Sequence, residues 1–247
     1  MKFFTNIILF TVLSVSLFYT DARSQHRQEL TLGNGFSIIP SVNYVSSATI
    51  QLSPFSKDII ERSSSISLSG GYGYGISIKK KLFRNDLSFA LSAEYTKIND
   101  DNVFQTLFSD SSRARVKFTE ELVMIPIELS GYFNIPDFSE DLKIFLGAGV
   151  GAYFGDRKRT LGNIQSKTIS KQAGFSFVVL SGLEYYFSRK VSGVFEIRFR
   201  EGEYTVKSEF PVSSVNIGGT FFPLERNLNS KIYVDGLKLS FGLSYNF

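Results

Sequence analysis

The chain has 247 residues, among them 25 Phe, 12 Tyr and 20 Gly but no Cys and no Trp, and its formal net charge is +4. This length is enough for one domain with a sizeable core. Without Cys the chain forms neither disulfides nor thiolate metal sites. The small positive charge is not concentrated in one block, which argues against a nucleic-acid partner.

The N-terminus has the features of a secretory signal peptide. A short basic start, Met1-Lys2, precedes an apolar run over residues 3–19. In Ala22-Arg23-Ser24 the small residues Ala22 and Ser24 then occupy positions −3 and −1 of a cleavage site before Gln25. The alternative is an uncleaved membrane anchor. It is less favoured because the run is short and no basic stop-transfer cluster follows it. We therefore expect a cleaved signal peptide at 1–24 and one mature domain at 25–247.

Eight segments of the mature chain alternate apolar and polar residues, which is the pattern of strands with two different faces. They cover residues 34–46, 65–80, 86–98, 118–134, 142–155, 172–188, 190–203 and 232–247. In the second segment we place Ile66, Leu68, Tyr72 and Tyr74 together on the apolar face. No later stretch approaches 18 consecutive apolar residues, so a mature chain in a membrane would cross it as strands.

The polar faces of these segments favour a membrane barrel over a soluble sandwich. They are rich in Gly and Ser with single charges, and the segments are longer than the usual strand of about 5–6 residues. Apolar side chains would then face lipid, and small polar ones would line the lumen. The sequence thus predicts an all-β fold. It is a transmembrane antiparallel up-and-down β-barrel of about eight strands in the outer membrane of a Gram-negative bacterium.

Short and long connections alternate along the chain, as they do in bacterial barrels. The long ones cover about 47–64, 99–117, 156–171 and 204–231 and would face the outside of the cell. The last is too apolar for a freely solvated loop. It could fold over the barrel mouth, extend the seventh and eighth strands, or bind a partner, and we favour extension with partial capping. A separate hairpin at 210–223 would raise the strand count to ten.

Three segments resemble known outer-membrane barrels. The last strand, KLSFGLSYNF, is similar to the C-terminal signal that the outer-membrane insertion machinery recognises, with Phe241, Leu243, Tyr245 and Phe247 as its apolar positions. LVMIPIELSGYF (122–133) and IFLGAGVGAYFG (144–155) resemble paired strands of the PorT-like "porin family" of small barrels, whose architecture is similar to outer membrane protein A/X-type barrels. The resemblance covers essentially the whole mature chain. It implies a surface structural role, a small-molecule or lipid-associated role, or a part in a secretion system.

Catalysis is not indicated. The only histidine, His26, precedes the first predicted strand, and a Ser-His-Asp triad needs an imidazole held beside its nucleophile. We expect no enzyme activity, no cofactor and no metal site. The glycine runs at 70–75 and 147–151 recur at period two with no helix after them, so we interpret them as lumen-facing glycines and not as phosphate loops.

Charged residues on the predicted lumen face are the candidate functional residues. They are Glu94, Glu128, Lys143, Glu184, Glu196, Arg198, Arg200 and Lys238. An eight-stranded barrel holds little more than its own side chains, so these charges must pair. The paired charges would plug the lumen as a scaffold, or they would line a gated polar path.

A basic run, Arg157-Lys158-Arg159, follows the fifth predicted strand on the outer side. It could contact the phosphates of lipopolysaccharide, or it could be a solvated loop. We expect as partners outer-membrane lipid and lipopolysaccharide, the insertion machinery during assembly, and an envelope or secretion protein.

Three functional hypotheses remain open at this point. The leading one is a non-enzymatic structural or surface-interaction role. The others are a narrow porin-like channel for ions or small solutes, and a PorT-like component of protein secretion or envelope assembly.

Overall fold

A computed structural model describes residues 35–82, 86–109, 112–136, 139 and 141–247. The predicted signal peptide and His26 lie outside these residues. The elements are β1 (Phe36–Gln51), α1 (Ile59–Ser63), β2 (Ser65–Lys81), β3 (Leu87–Ser109), β4 (Ser112–Asn134), β5 (Leu142–Leu161), β6 (Ile164–Gln165), β7 (Lys167–Tyr186), β8 (Val191–Glu209), β9 (Ser214–Ile217), β10 (Thr220–Pro223), β11 (Asn227–Tyr233) and β12 (Leu237–Asn246). Among the described residues, none of the helices has the length and apolarity that a membrane span requires.

The long strands form one closed antiparallel ring. β1 pairs with β2, and the pairing continues through β3, β4, β5, β7 and β8. β11 and β12 together form the eighth wall, because each pairs with both β8 and β1. The ring closes without an unpaired edge over part of its height, and further out the β2–β3 pairing ends at Tyr72–Lys97 and the β5–β7 pairing at Tyr153–Gly174. The predicted eight-stranded up-and-down barrel is therefore confirmed.

The hairpin expected as a source of two extra strands does form, but it does not enter the ring. β9 and β10 pair only with each other, in a separate two-stranded sheet. Gly218 and Gly219, at its turn, adopt positive φ angles of 60° and 87°, which glycine tolerates without strain. The barrel itself keeps eight walls.

Several strands run further outward than the sequence indicated. Residues 99–117 were expected to be a long loop, but β3 and β4 continue through almost all of it, each 23 residues long. β5 likewise continues to Leu161 instead of ending near 155. A bilayer needs only about 9–11 residues per strand. The walls therefore extend well beyond the membrane on the outer side.

The barrel has two parts with opposite polarity. The membrane section comprises residues 36–45, 71–81, 87–96, 123–134, 142–155, 175–186, 191–200 and 237–246. The outer section comprises the described residues 46–70, 97–122, 156–174 and 201–236. Large apolar side chains such as Ile76, Leu91 and Val150 project from the membrane section with about half of their surface exposed. The exposed apolar belt fits a lipid environment.

In the outer section the polarity is reversed. Lys97, Glu121 and Lys158 face outward into water, while apolar side chains fill the interior. That core includes Ile50, Leu68, Ile98, Phe118, Leu122, Tyr204, Val206 and Ile232. This part has a buried apolar core like that of a soluble β-protein, which explains why the strands remain stable above the membrane.

A change in the alternation of inward and outward residues along β2 places two predicted lipid-facing residues inside. Leu68 is buried and Ile66 packs against the core, whereas Tyr72 and Tyr74 face outward as expected. The alternation changes at Gly70-Gly71. A Cβ atom at Gly70 would lie 2.4 Å from the Val45 carbonyl oxygen, and one at Gly71 would lie 2.3 Å from that of Lys97. The backbones approach too closely there for any residue but glycine, so the common face predicted for these four residues was wrong.

Candidate functional site

The lumen of the membrane section holds a network of charged side chains. Glu196, Arg198 and Arg200 lie two residues apart on β8 and therefore share its inner face. Glu94 on β3, Glu128 on β4 and Lys238 on β12 face them across the lumen, and all six residues are buried. The structure thus brings together six of the eight predicted lumen charges.

Three cations and three carboxylates make up this network. Arg198 pairs with both Glu128 and Glu196, and Lys238 pairs with Glu94. Arg200 bridges the two halves, with its Nη2 2.8 Å from Glu94 Oε2 and its Nε 2.8 Å from Glu128 Oε1. The charges balance within the network. Such balance is what a set of buried ions needs to be stable in a low dielectric.

Two tyrosines complete the network and were not predicted. The Tyr153 hydroxyl donates to Glu128 Oε1 over 2.7 Å. The Tyr132 hydroxyl accepts from Arg198 Nη2 at 2.8 Å and donates to Glu196 Oε2 at 3.2 Å. The alternation along each strand assigns both rings to the inner face. The hydrogen-bond partners of their hydroxyls across the lumen depend on the register of the strands, so they cannot be predicted from one strand.

A second ion pair lies nearer the periplasmic end. The Lys79 ammonium donates to Glu184 Oε2 at 3.2 Å, and the Ser192 hydroxyl donates to Glu184 Oε1 at 2.6 Å. Glu184 was predicted, whereas Lys79 was missed. Lys79 continues the inner face of β2 beyond Ser77, so the same alternation could have found it. The eighth predicted residue, Lys143, is half-buried at the start of β5.

The predicted basic run is not a surface cluster. Arg157 and Arg159 are only 1% and 3% exposed and lie inside the outer section, where both contact Glu120. The physical reason is that β5 continues to Leu161, so the odd-numbered residues keep facing inward. Lys158 alone faces outward, 3.4 Å from Glu121. Arg157 and Arg159 are therefore not exposed at the surface, where a lipopolysaccharide phosphate would lie.

This buried group is a second feature that the sequence did not reveal. Arg157 binds both Glu120 oxygens, with Nε–Oε2 at 2.9 Å and Nη2–Oε1 at 2.8 Å. Arg159 lies 3.0 Å from Glu120 Oε1, and its guanidinium stacks 4.1 Å from the centre of the Phe118 ring. The group ties β4 to β5 inside the apolar core. Nearby Glu225, which follows β10, has a raised pKa because burial disfavours its ionised form.

The lumen is closely filled around the charges. A cavity of about 20 Å³ lies beside Lys79, Tyr132, Arg198 and Lys238, and a space of that size holds about one water molecule. Above the charges, the apolar core of the outer section fills the barrel.

The outer mouth is covered by the segment between β8 and β11. Phe210, Phe222 and Leu224 are buried in the core of the outer section. β8 and β11 pair with each other from Glu203–Tyr233 up to Glu209–Asn227. Both parts of the expectation for this segment, strand extension and partial capping, are thus confirmed.

In the part of the chain that the structure describes, no group of three or more His, Asp or Glu residues could hold a metal ion. The lumen contains buried arginines and carboxylates that neutralise each other.

The closing strand β12 presents its apolar residues to lipid. Phe241, Leu243, Tyr245 and Phe247 are all exposed on the outer face. The Phe247 amide donates to the Phe36 carbonyl at 2.9 Å and so joins the two ends of the barrel.

The fold has a counterpart among solved outer-membrane proteins. No family model matches the sequence, and no curated protein matches it significantly. The outer membrane protein OprG from Pseudomonas aeruginosa is similar over 86% of this chain and 96% of its own, with 12% identity and a TM-score of 0.57. Neisserial surface protein A is similar over 86% of this chain and 97% of its own, with 19% identity and a TM-score of 0.45. Ail of Yersinia pestis is similar over 87% of this chain and 99% of its own, with 11% identity and a TM-score of 0.40.

The likeness to OprG shows that the chain has the fold of the small outer-membrane β-barrels. Its lipid-facing belt and closed ring fit the same location. The segments 122–133 and 144–155, singled out for their resemblance to paired strands, are indeed neighbours in the barrel, with Phe133 opposite Leu146.

Proposed function

We propose that this protein is a closed, non-enzymatic barrel of the outer membrane that anchors its outer section at the cell surface for interaction with other molecules. The observation that carries the proposal is the filled interior. A transport barrel needs a continuous polar path, whereas here the ion network occupies the middle of the lumen and an apolar core lies above it.

Opening this lumen would require several buried ion pairs to separate together. Arg198 would leave Glu128 and Glu196, and Arg200 would leave Glu94 and Glu128. Breaking one buried pair costs about 3–5 kcal/mol. The hairpin β9–β10 adds a second barrier at the outer mouth.

The outer section offers surface for contacts. Phe104 and Phe108 lie four residues apart on the outward face of β3 and are 51% and 67% exposed. Ile59 and Ile60 of helix α1 are also exposed. Exposed apolar groups above the lipid belt favour a protein partner. The resemblance of 122–133 and 144–155 to the PorT-like family makes an envelope or secretion protein our preferred partner.

Assembly and export follow the same proposal. We expect residues 1–24 to be removed on export. The insertion machinery would then recognise the β12 residues Phe241, Leu243, Tyr245 and Phe247. Of the predicted basic run, only Lys158 is available for a lipopolysaccharide phosphate.

Single-channel recording tests the closed state. Residues 25–247 are refolded into vesicles, their folding is verified by the mobility of the unboiled protein on gels, and they are then fused with a planar bilayer. We expect no conductance steps from verified protein. A variant lacking 211–223 should remain silent as well, because the ion network is independent of the hairpin. Reproducible steps from the intact protein would contradict the proposal and make transport the leading function.

A photo-crosslinking pair tests the interaction role. A photoreactive residue at Phe108 should give crosslinked protein adducts in cells, while one at Phe133, on the lipid face of the same barrel, should crosslink only to lipid. The same pattern of adducts from both positions, or none from Phe108, would count against a surface-interaction role.

A further inference from the structure

Among the described residues, the inner face at the periplasmic end of the barrel carries more lysines than carboxylates. Lys79 and Lys81 on β2 point into it from one side, and Lys143 on β5 points into it from the other. Glu184 is the carboxylate that pairs with Lys79, and it also accepts the Ser192 hydroxyl. Among the described residues, no carboxylate forms an ion pair with Lys81 or Lys143.

The two remaining lysines converge on one aromatic ring. The Lys81 ammonium lies 5.8 Å and the Lys143 ammonium 5.3 Å from the centre of the Tyr186 ring. A ring face attracts a cation but carries no net charge. Lys143, the Glu184 carboxylate and Lys79 are all close enough for their charges to act on Lys81, so one carboxylate stands against three lysines. Like charges held together in a narrow mouth repel each other unless an anion joins them.

Lys81 and Lys143 are half-buried at the ends of their strands, so both keep some exposed surface at the periplasmic end. Deeper in the barrel, Phe145 and Leu180 belong to a cluster of buried apolar residues. A ligand that reaches these lysines from the periplasmic end must be small enough to fit inside the ring of strands.

From this geometry we infer that Lys81 and Lys143, with Lys79 behind them, form a binding site for a phosphate-class oxyanion at the periplasmic mouth of the barrel. Lysine ammonium groups bind phosphate as point charges. Their donors are not fixed in a plane, which suits a group with several equivalent oxygens. The phosphate would come from a soluble periplasmic solute or from the headgroup of a phospholipid in the inner leaflet.

Inorganic phosphate is the first probe. The refolded protein, residues 25–247 in detergent micelles, is titrated with phosphate by calorimetry at low ionic strength. We expect binding that weakens at least about tenfold in the double variant Lys81→Gln/Lys143→Gln. The double variant Lys81→Arg/Lys143→Arg keeps both charges and should still bind. Lys80→Gln is the matched control, because Lys80 lies between two lumen-facing lysines but projects outward over the Phe36 ring.

Native mass spectrometry distinguishes the two sources of phosphate. A phospholipid that stays bound to the wild-type protein and to Lys80→Gln, but is lost from Lys81→Gln/Lys143→Gln, would assign a lipid headgroup to the site. Calorimetric binding of inorganic phosphate by the wild-type protein and by Lys80→Gln, but not by Lys81→Gln/Lys143→Gln, would assign a soluble anion to the site. The inference is wrong if neither phospholipid retention nor phosphate binding depends on Lys81 and Lys143 in protein that is verified as folded.

A further variant tests whether the chain supplies its own anion. Asp137 and Glu140, which lie between β4 and β5 in the sequence, are outside the described residues. Phosphate binding that appears only in Asp137→Asn/Glu140→Gln would mean that these carboxylates already occupy the site, and it would overturn the proposal. Equal binding by that variant and the wild-type protein supports it.

Discussion

Glu128 is the residue on which the lumen network most depends. It is buried and contacts Arg198, Arg200 and Tyr153. Glu128→Gln keeps the size of the side chain but removes the charge, so the network is left with three cations and two carboxylates. Removing one partner of a buried ion pair costs about 3–5 kcal/mol. We expect the free energy of unfolding to fall by about 3 kcal/mol, because each arginine keeps one other carboxylate.

The matched control is Glu121→Gln on the same strand. Glu121 faces outward and lies 2.8 Å from Lys97 and 3.4 Å from Lys158, both of them partly exposed. Surface ion pairs contribute less than about 1 kcal/mol. Urea unfolding in phospholipid vesicles measures both variants, followed by far-ultraviolet circular dichroism because the chain has no Trp. Equal losses of stability in the two variants would refute the reasoning.

Three further changes test other parts of the structure. Val150→Arg places a charge in the lipid belt and should lower the free energy of unfolding in vesicles by about 2–4 kcal/mol. An unchanged free energy of unfolding would mean that this face does not contact lipid. Gly174→Ala should cost about 2 kcal/mol, because its Cβ atom would lie 1.7 Å from the Glu203 carbonyl oxygen; a neutral result would show that β7 and β8 can separate there. Phe222→Ala should speed protease cleavage of the capping hairpin at least about tenfold. Phe221→Ala, at an exposed position, should leave the cleavage rate unchanged. Identical cleavage rates for the two variants would argue against a packed cap.

The membrane section could be predicted from the sequence because lipid and lumen impose opposite polarities on alternate residues. Val150 and Gly149 illustrate the rule, since one faces lipid and the other the lumen. The alternation continues in the outer section, where most inward residues are apolar and many outward ones are polar. Arg157 and Arg159 are exceptions: the sequence indicated a loop there, but they are charged inward residues of a continuing strand.

The partners within the lumen could not be predicted. Alternation identifies Arg198 and Glu128 as inward, but only the closed ring shows that they meet across the lumen. The change in the inward and outward alternation at Gly70-Gly71 could not be predicted from one strand either, because it arises from close contacts with the neighbouring strands. Pairing across a barrel is a property of its register and closure, which no single segment contains.

The exchange of polarity along each wall is the central claim, and thiol labelling along β5 tests it most directly. The chain has no Cys, so each variant has one thiol. Val150→Cys and Phe154→Cys lie on the outward face of the membrane section, and Lys158→Cys and Thr160→Cys on the same face of the outer section. In vesicles, a water-soluble maleimide should modify the outer pair rapidly and the membrane pair only after unfolding in urea. Equally rapid labelling of Val150→Cys and Lys158→Cys in folded protein would contradict the account.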